Sequence, residues 1–133
     1  EILTATHNFT ASSGNTFNLA LYTSSATLNK STTAYSSSNE ISNTSGSAYS
    51  AKGLALTSVT PVLSSDTAVC DFANISWSSA SFTARGCLIF NDTASGDPSV
   101  CAIDFGGDKT VTSGTFTIEF PAASAGSAII GIA

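Results

Sequence analysis

The sequence predicts an all-β fold: an antiparallel β-sandwich or jelly-roll-like barrel of about eight short strands, with a short helix remnant at the N-terminus. Three observations predict it. The dominant hydrophobic period is two, the period of a strand with one buried face. Turn-forming clusters punctuate the apolar runs at Ser13-Gly14-Asn15, Ser64-Ser65-Asp66, Gly96-Asp97-Pro98, Gly106-Gly107-Asp108 and Ser113-Gly114. At 133 residues, 42% of them hydrophobic, the chain is one domain over residues 1–133. It is large enough to bury a core and too apolar for overall disorder.

The elements follow in order. Glu1–Phe9 reads as the tail of a helix whose start is missing. Phe17, Leu19 and Leu21 alternate with Asn18, Ala20 and Tyr22, which predicts a strand over Thr16–Thr23. Thr23–Tyr49 is dominated by Ser, Thr and Asn, with Leu28, Tyr35 and Ile41 as its few anchors. It reads as a long ordered loop with one short strand at Asn39–Ser42, and loops of this length are usually functional. Leu54 and Leu56 resume the alternation. Val59, Val62 and Leu63 flank Pro61, so that strand is broken or lies at an edge. Thr67–Phe72 is a short strand, and Ile75 and Trp77 open another. Residues 82–90 alternate over the longest stretch. Val100–Phe105, Thr115–Phe120 and a closing strand over Ile129, Ile130 and Ile132 complete the set. The expected core includes Phe17, Leu19, Leu21, Leu88, Phe90, Phe116, Ile118 and Phe120.

Charge and composition exclude whole classes. Net charge is −5 with only four cations, which excludes a basic nucleic-acid clamp. No apolar run reaches the roughly 18 residues of a membrane-spanning helix. Neither nucleic acid nor membrane is an expected partner. Glu1 is a poor residue to follow a removed initiator Met, which suggests a cleaved leader or numbering that starts inside a longer chain. Residues 1–5 carry no secretion signal.

The chemistry-bearing residues are sparse. Three cysteines allow at most one internal disulfide. Cys87 and Cys101 flank the Asn91–Pro98 loop at near-symmetric offsets, so a cross-strand disulfide is conceivable. Two buried thiols packing like alanine are the competing reading, and the weightier one, because free cysteine is among the most buried residue types. Zinc lacks both a C-x-x-C pair and a nearby histidine. Asp92, Asp97, Asp104 and Asp108 cluster within 17 residues, yet match no calcium-loop template and read first as turn residues. His7 is the one histidine, and no G-x-S-x-G occurs, so a nucleophilic triad is not expected. No cofactor or metal is expected. Arg85, the one arginine, lies mid-strand and reads as a structural ion pair or a subunit contact. Trp77 reads as a core tryptophan with its N–H bonded rather than a sugar-stacking platform. Five N-x-[ST] sequons, at Asn8, Asn29, Asn43, Asn74 and Asn91, are a mild excess over chance.

Phe17-Asn18-Leu19-Ala20-Leu21-Tyr22-Thr23 resembles the F-x-x-A-L-Y-T opening of a family of small structural proteins of tailed bacteriophages. Asn39-Glu40-Ile41-Ser42 and Tyr49–Gly53 are similar to that family's N-E-V-S-G-x-x-Y-x-x-G-G segment. Asp71–Trp77, Ala84-Arg85-Gly86 with Leu88–Asn91, Asp104–Lys109 and the ending Ile129–Ala133 extend the resemblance over nearly the whole chain. Two departures stand out: the family's N-terminal helix is cut at Glu1, and Cys87 and Cys101 stand where alanine is expected.

The resemblance implies a virion structural protein, assembled in the host cytoplasm, with no enzyme activity and no catalytic residues. A capsid decoration or cement protein bound to the major capsid lattice is the leading expectation. Self-association as a dimer or trimer is expected with it. A tail, tail-fibre or adhesin component is the alternative. An extracellular fibre subunit or carbohydrate-binding module is a further one, which exposed coplanar aromatics would favour. The expected partner contacts are Leu28, Tyr35, Glu40, Ile41 and Tyr49 in or beside the long loop, together with Arg85.

Overall fold

The computed structural model describes residues 5–44 and 46–132. Among these residues seven strands form two antiparallel sheets packed together as a sandwich, without barrel closure. In chain order they are β1 (Phe17–Tyr22), β2 (Leu54–Leu56), β3 (Ser58–Ser64), β4 (Thr67–Phe72), β5 (Ile75–Asn91), β6 (Ser99–Ile118) and β7 (Ile130–Ile132). The larger sheet has the order β2-β1-β5-β6 and the smaller β3-β4-β7. No helix occurs among the described residues. Ala5–Phe9 is not helical, which corrects that part of the expected helix remnant; the rest lies outside the described residues. Instead Phe9 stacks on Phe17, with centroids 4.5 Å apart, and helps close the core.

β1 is central and covered on both faces, which explains its near-continuous burial. Phe17, Leu19 and Leu21 face the main core with Cys87 and Ile89 of β5. Ala20 and Tyr22 face the opposite way with Leu88 and Phe90. There the long loop covers them through Ala26, Leu28 and Tyr35.

The sequence splits β5 and β6 into shorter strands, whereas the structure joins them into one long hairpin. The apparent turn signals become bulges. Register shifts fall between Trp77 and Ala80, Ala80 and Phe82, Ala84 and Gly86, and Ile89 and Phe90. Gly106, Ser79 and Ser113 take positive φ within the ladder. Extra residues on one strand absorb such positions without ending the pairing; around Gly106, residues 105–108 stand opposite Arg85 alone.

β6 is an edge strand, and its alternating apolar side chains are only half-buried. Of the expected core, Phe17, Leu19, Leu21, Leu88 and Phe90 are buried, while Phe116, Ile118 and Phe120 are partly buried and pack against the main core. Residues 39–42 form a single bridge, Tyr22 to Glu40, rather than a strand.

Candidate functional site

The long loop is held by a carboxylate. Glu40 accepts hydrogen bonds from the Tyr35 hydroxyl at 2.6 Å, the Tyr49 hydroxyl at 2.7 Å and the Lys52 backbone N–H at 2.7 Å. The Tyr49 hydroxyl in turn accepts from the Leu21 backbone N–H at 2.8 Å, which ties the loop to β1. The Tyr22 hydroxyl donates to the Ser36 carbonyl at 2.7 Å. Burial pushes all three phenols up, and the nearby Glu40 charge pushes them further; Tyr22 reaches about 12. They therefore act as neutral donors.

The same turn carries Lys52. Its ammonium lies 2.6 Å from Asp92 and 2.9 Å from Asp97, over the rings of Tyr35 and Phe90. Hydrogen bonds to Asp92 and then Asp97 raise its pKa. The turn needs Gly53, whose φ is +68° and whose added Cβ would come 1.8 Å from the Leu19 carbonyl oxygen. Asp92 and Asp97 thus converge on an ammonium, the arrangement of an internal ion pair rather than of a cation-binding loop.

The expected partner contacts are largely engaged within the fold. Leu28 and Tyr35 pack on the second face of the large sheet, with Tyr35 stacked on Phe90 at 4.7 Å. Ile41 and Tyr49 are buried in the main core. Glu40 is the clasp just described. Of the six residues, Leu28 and Arg85 also line an open cleft, and Arg85 is the charged one.

Arg85 sits at the register shift between Ala84 and Gly86, and a bulge of this kind redirects side chains. Its Nε donates to Asp104 Oδ1 at 2.8 Å and its Nη2 to Oδ2 at 3.3 Å. The Gly106 N–H also donates to Asp104, at 2.8 Å. The guanidinium and then that amide hold the Asp104 carboxyl below the usual carboxylate range. The ion pair expected of Arg85 is present. It borders a cleft of about 400 Å³ that Tyr22, Leu28, Lys30, Gly86 and Ala102 also line.

Cys87 and Cys101 are free thiols, not a disulfide. The register explains it: Cys87 stands opposite Ile103 and Cys101 opposite Ile89, so the two are diagonal neighbours. Burial pushes the Cys87 thiol up to about 12 and Cys101 to about 11. Trp77 is 3% exposed and stacks within an aromatic group of Tyr49, Phe82 and Phe116. It is a core residue as expected, but its N–H has no partner among the described residues, which corrects the expected hydrogen bond. Trp77, Tyr22 and Phe82 are buried and offer no stacking platform for a sugar. Asn91 is fully buried and bonded to Thr6, His7 and Asn15, so its sequon is closed to modification.

Compared with known protein families, characterised proteins and solved structures, the chain matches none. Its surfaces carry the functional argument. Among the described residues, the exposed large hydrophobic side chains all lie on the small sheet. Phe72, Cys70 and Ala68 share one face of β4 by strand alternation. Phe72 is buried in the main core, Cys70 pairs with Ile130, and Ala68 lies between Leu63 and Ile132. Leu63 is 74% exposed and Ile132 53%. The core face therefore continues outward into an uncovered apolar row. Val59 and Val62 on β3 are exposed as well.

Sequence reasoning read the Pro61 strand as broken or at an edge and placed a closing strand over Ile129, Ile130 and Ile132, but missed this row because local pattern does not show that the two strands flank β4 together. It also missed Lys52, though its rarity as one of four cations was a usable signal.

Proposed function

We propose that the protein is a structural subunit that works by assembly, as a phage virion protein of the capsid decoration or cement type. The single observation that supports this most is the uncovered row of Leu63, Ala68 and Ile132, continuous with the core face of the small sheet. Isolated exposed apolar residues are ordinary, but a contiguous apolar surface running out of a core marks an interaction site. The half-buried apolar stripe of β6 adds to it; β6 is an edge strand 20 residues long to which, among the described residues, the long loop hydrogen-bonds only at Ser99. Such an edge can also pair with another chain. The family resemblance of the sequence supplies the virion context and the major capsid protein as the partner.

The mechanism is burial and shape. A rigid sandwich, clasped internally through Glu40, presents a dry apolar flank to a repeating lattice. Low charge limits repulsion between crowded copies.

Imaging of particles from the phage that encodes the chain tests this reading. Copies arranged regularly over an icosahedral shell, seated through β3, β7 or β6, are the expected result. Copies restricted to the tail would move the protein to the tail-fibre or adhesin role and refute the capsid position.

A further inference from the structure

The cleft beside Arg85 has features that assembly does not require. Its two walls are rigid and differently built. One wall is the β5 bulge, where Asp104, itself held by the Gly106 N–H, fixes the guanidinium. The other is a tight turn of the long loop. There the Asn29 N–H donates to Thr32 Oγ1 at 3.0 Å, and the Ser31 N–H donates to Asn29 Oδ1 at 2.8 Å. That turn is fastened to β6 by the Ser99 hydroxyl, which donates to the Thr32 carbonyl at 2.6 Å. The cleft therefore needs little ordering to accept a ligand, which favours affinity.

The lining is amphipathic. Ala26, Leu28 and Ala102 supply apolar surface. Lys30 enters with no ion-pair partner among the described residues. Arg85 spends Nε and Nη2 on Asp104 and keeps its other Nη for a ligand. The charged lining residues are Lys30, Arg85 and Asp104, and the Asp108 carboxylate acts on Arg85 from nearby, which leaves the cleft about neutral, +2 − 2 = 0, in a chain of net −5.

This combination selects a ligand class. A bare anion would meet Lys30 and Arg85 but be repelled by Asp104. A neutral polyol would satisfy Asp104 through its hydroxyls yet leave Lys30 unpaired. A sugar ring bearing a carboxylate meets both demands: its carboxylate pairs with Lys30 and the free Arg85 nitrogen, and a hydroxyl donates to Asp104. Its C–H face lies on Leu28 and Ala102. At about 400 Å³ the cleft falls within the usual range for small-ligand sites. We propose that the cleft between the Asn29–Thr32 turn and the Arg85 bulge binds an acidic saccharide. Recognition is by charge and hydroxyl pairing rather than ring stacking, and it does not rest on the assembly reading.

The test is an amide NMR titration of the intact protein with glucuronate, glucose and acetate in parallel. Glucuronate is expected to shift the Thr23, Asn29 and Gly86 amides saturably. Glucose and acetate should each bind about tenfold more weakly or less, and Lys30→Ala should weaken glucuronate about tenfold, the size of one charge-assisted contact. Lys30 makes no ion pair among the described residues, so this variant remains folded even where Arg85→Ala does not. Equal binding of acetate would reduce the cleft to a simple anion hollow and overturn the proposal. Equal binding of glucose would overturn the charge selection. No saturable shift with glucuronate would overturn the site itself.

Discussion

The two sides of the large sheet are finished in opposite ways. On one, the loop after β1 folds back over Ala20, Tyr22, Leu88 and Phe90 and is clasped by Glu40. On the other, the small sheet covers the core but runs past it, leaving Leu63 and Ile132 bare. A Ser/Thr-rich segment has become structural, and apolar residues of β3 and β7 have become surface. Polarity of a segment therefore says less about exposure than whether its few anchors find buried partners. Tyr35 and Tyr49 find Glu40; Leu63 and Ile132 find nothing among the described residues.

The largest effect should come from breaking the clasp. Glu40→Ala removes the acceptor of three hydrogen bonds and leaves the Tyr49 hydroxyl without one, at a cost of about 3 kcal/mol by urea unfolding. An unchanged midpoint would show that the loop is not part of the cooperative fold. Tyr49→Phe should cost about 1–2 kcal/mol, because the Leu21 N–H and Glu40 each lose a buried partner.

Alkaline pH probes the same clasp through its phenols. Tyr22, Tyr35 and Tyr49 all have raised folded-state pKa values, with burial as the leading cause. In the unfolded chain they lose protons near pH 10. Above that pH the unfolded state binds fewer protons than the native state, so stability falls as pH rises. It should be fully present below about pH 10 and be lost progressively from there upward. Phenolate absorbance should appear together with unfolding rather than before it. Free titration of the three phenols in a folded protein would contradict the clasp.

On the uncovered flank the same tests should do almost nothing to folding. Leu63→Ser with Ile132→Ser should shift stability by no more than about 0.5 kcal/mol, while sedimentation shows loss of self-association or of capsid binding. Substantial unfolding would mean the row belongs to the core. The smallest change concerns the thiols. Cys87, fully buried with its pKa pushed up to about 12, should resist a thiol reagent at neutral pH until the protein is denatured.

Much of this fold was legible in the sequence. The β1 alternation, the edge character of the Pro61 strand and the burial of Trp77 all followed from local pattern. The long hairpin was not legible, because Gly106 and Ser113 carry the same residue preferences in a bulge as in a turn. The cysteine pairing failed for a related reason: Cys87 faces Ile103 and Cys101 faces Ile89, two positions out of register, and the shift between Ile89 and Phe90 supplies one of those positions. Of the candidate site, Arg85 was legible as an isolated charge in an apolar strand. Its cleft was not, since Lys30 reaches it from a loop 55 positions away in the chain.

The central claim is that the clasped loop belongs to the fold and the bare apolar flank belongs to a partner. Particle imaging that resolves this chain against its neighbours tests it most directly. The account predicts contacts through Leu63, Ile132 and the apolar stripe of β6, with residues 23–52 keeping their internal hydrogen bonds. Contacts made through residues 23–52, with Leu63 and Ile132 facing solvent, would contradict it.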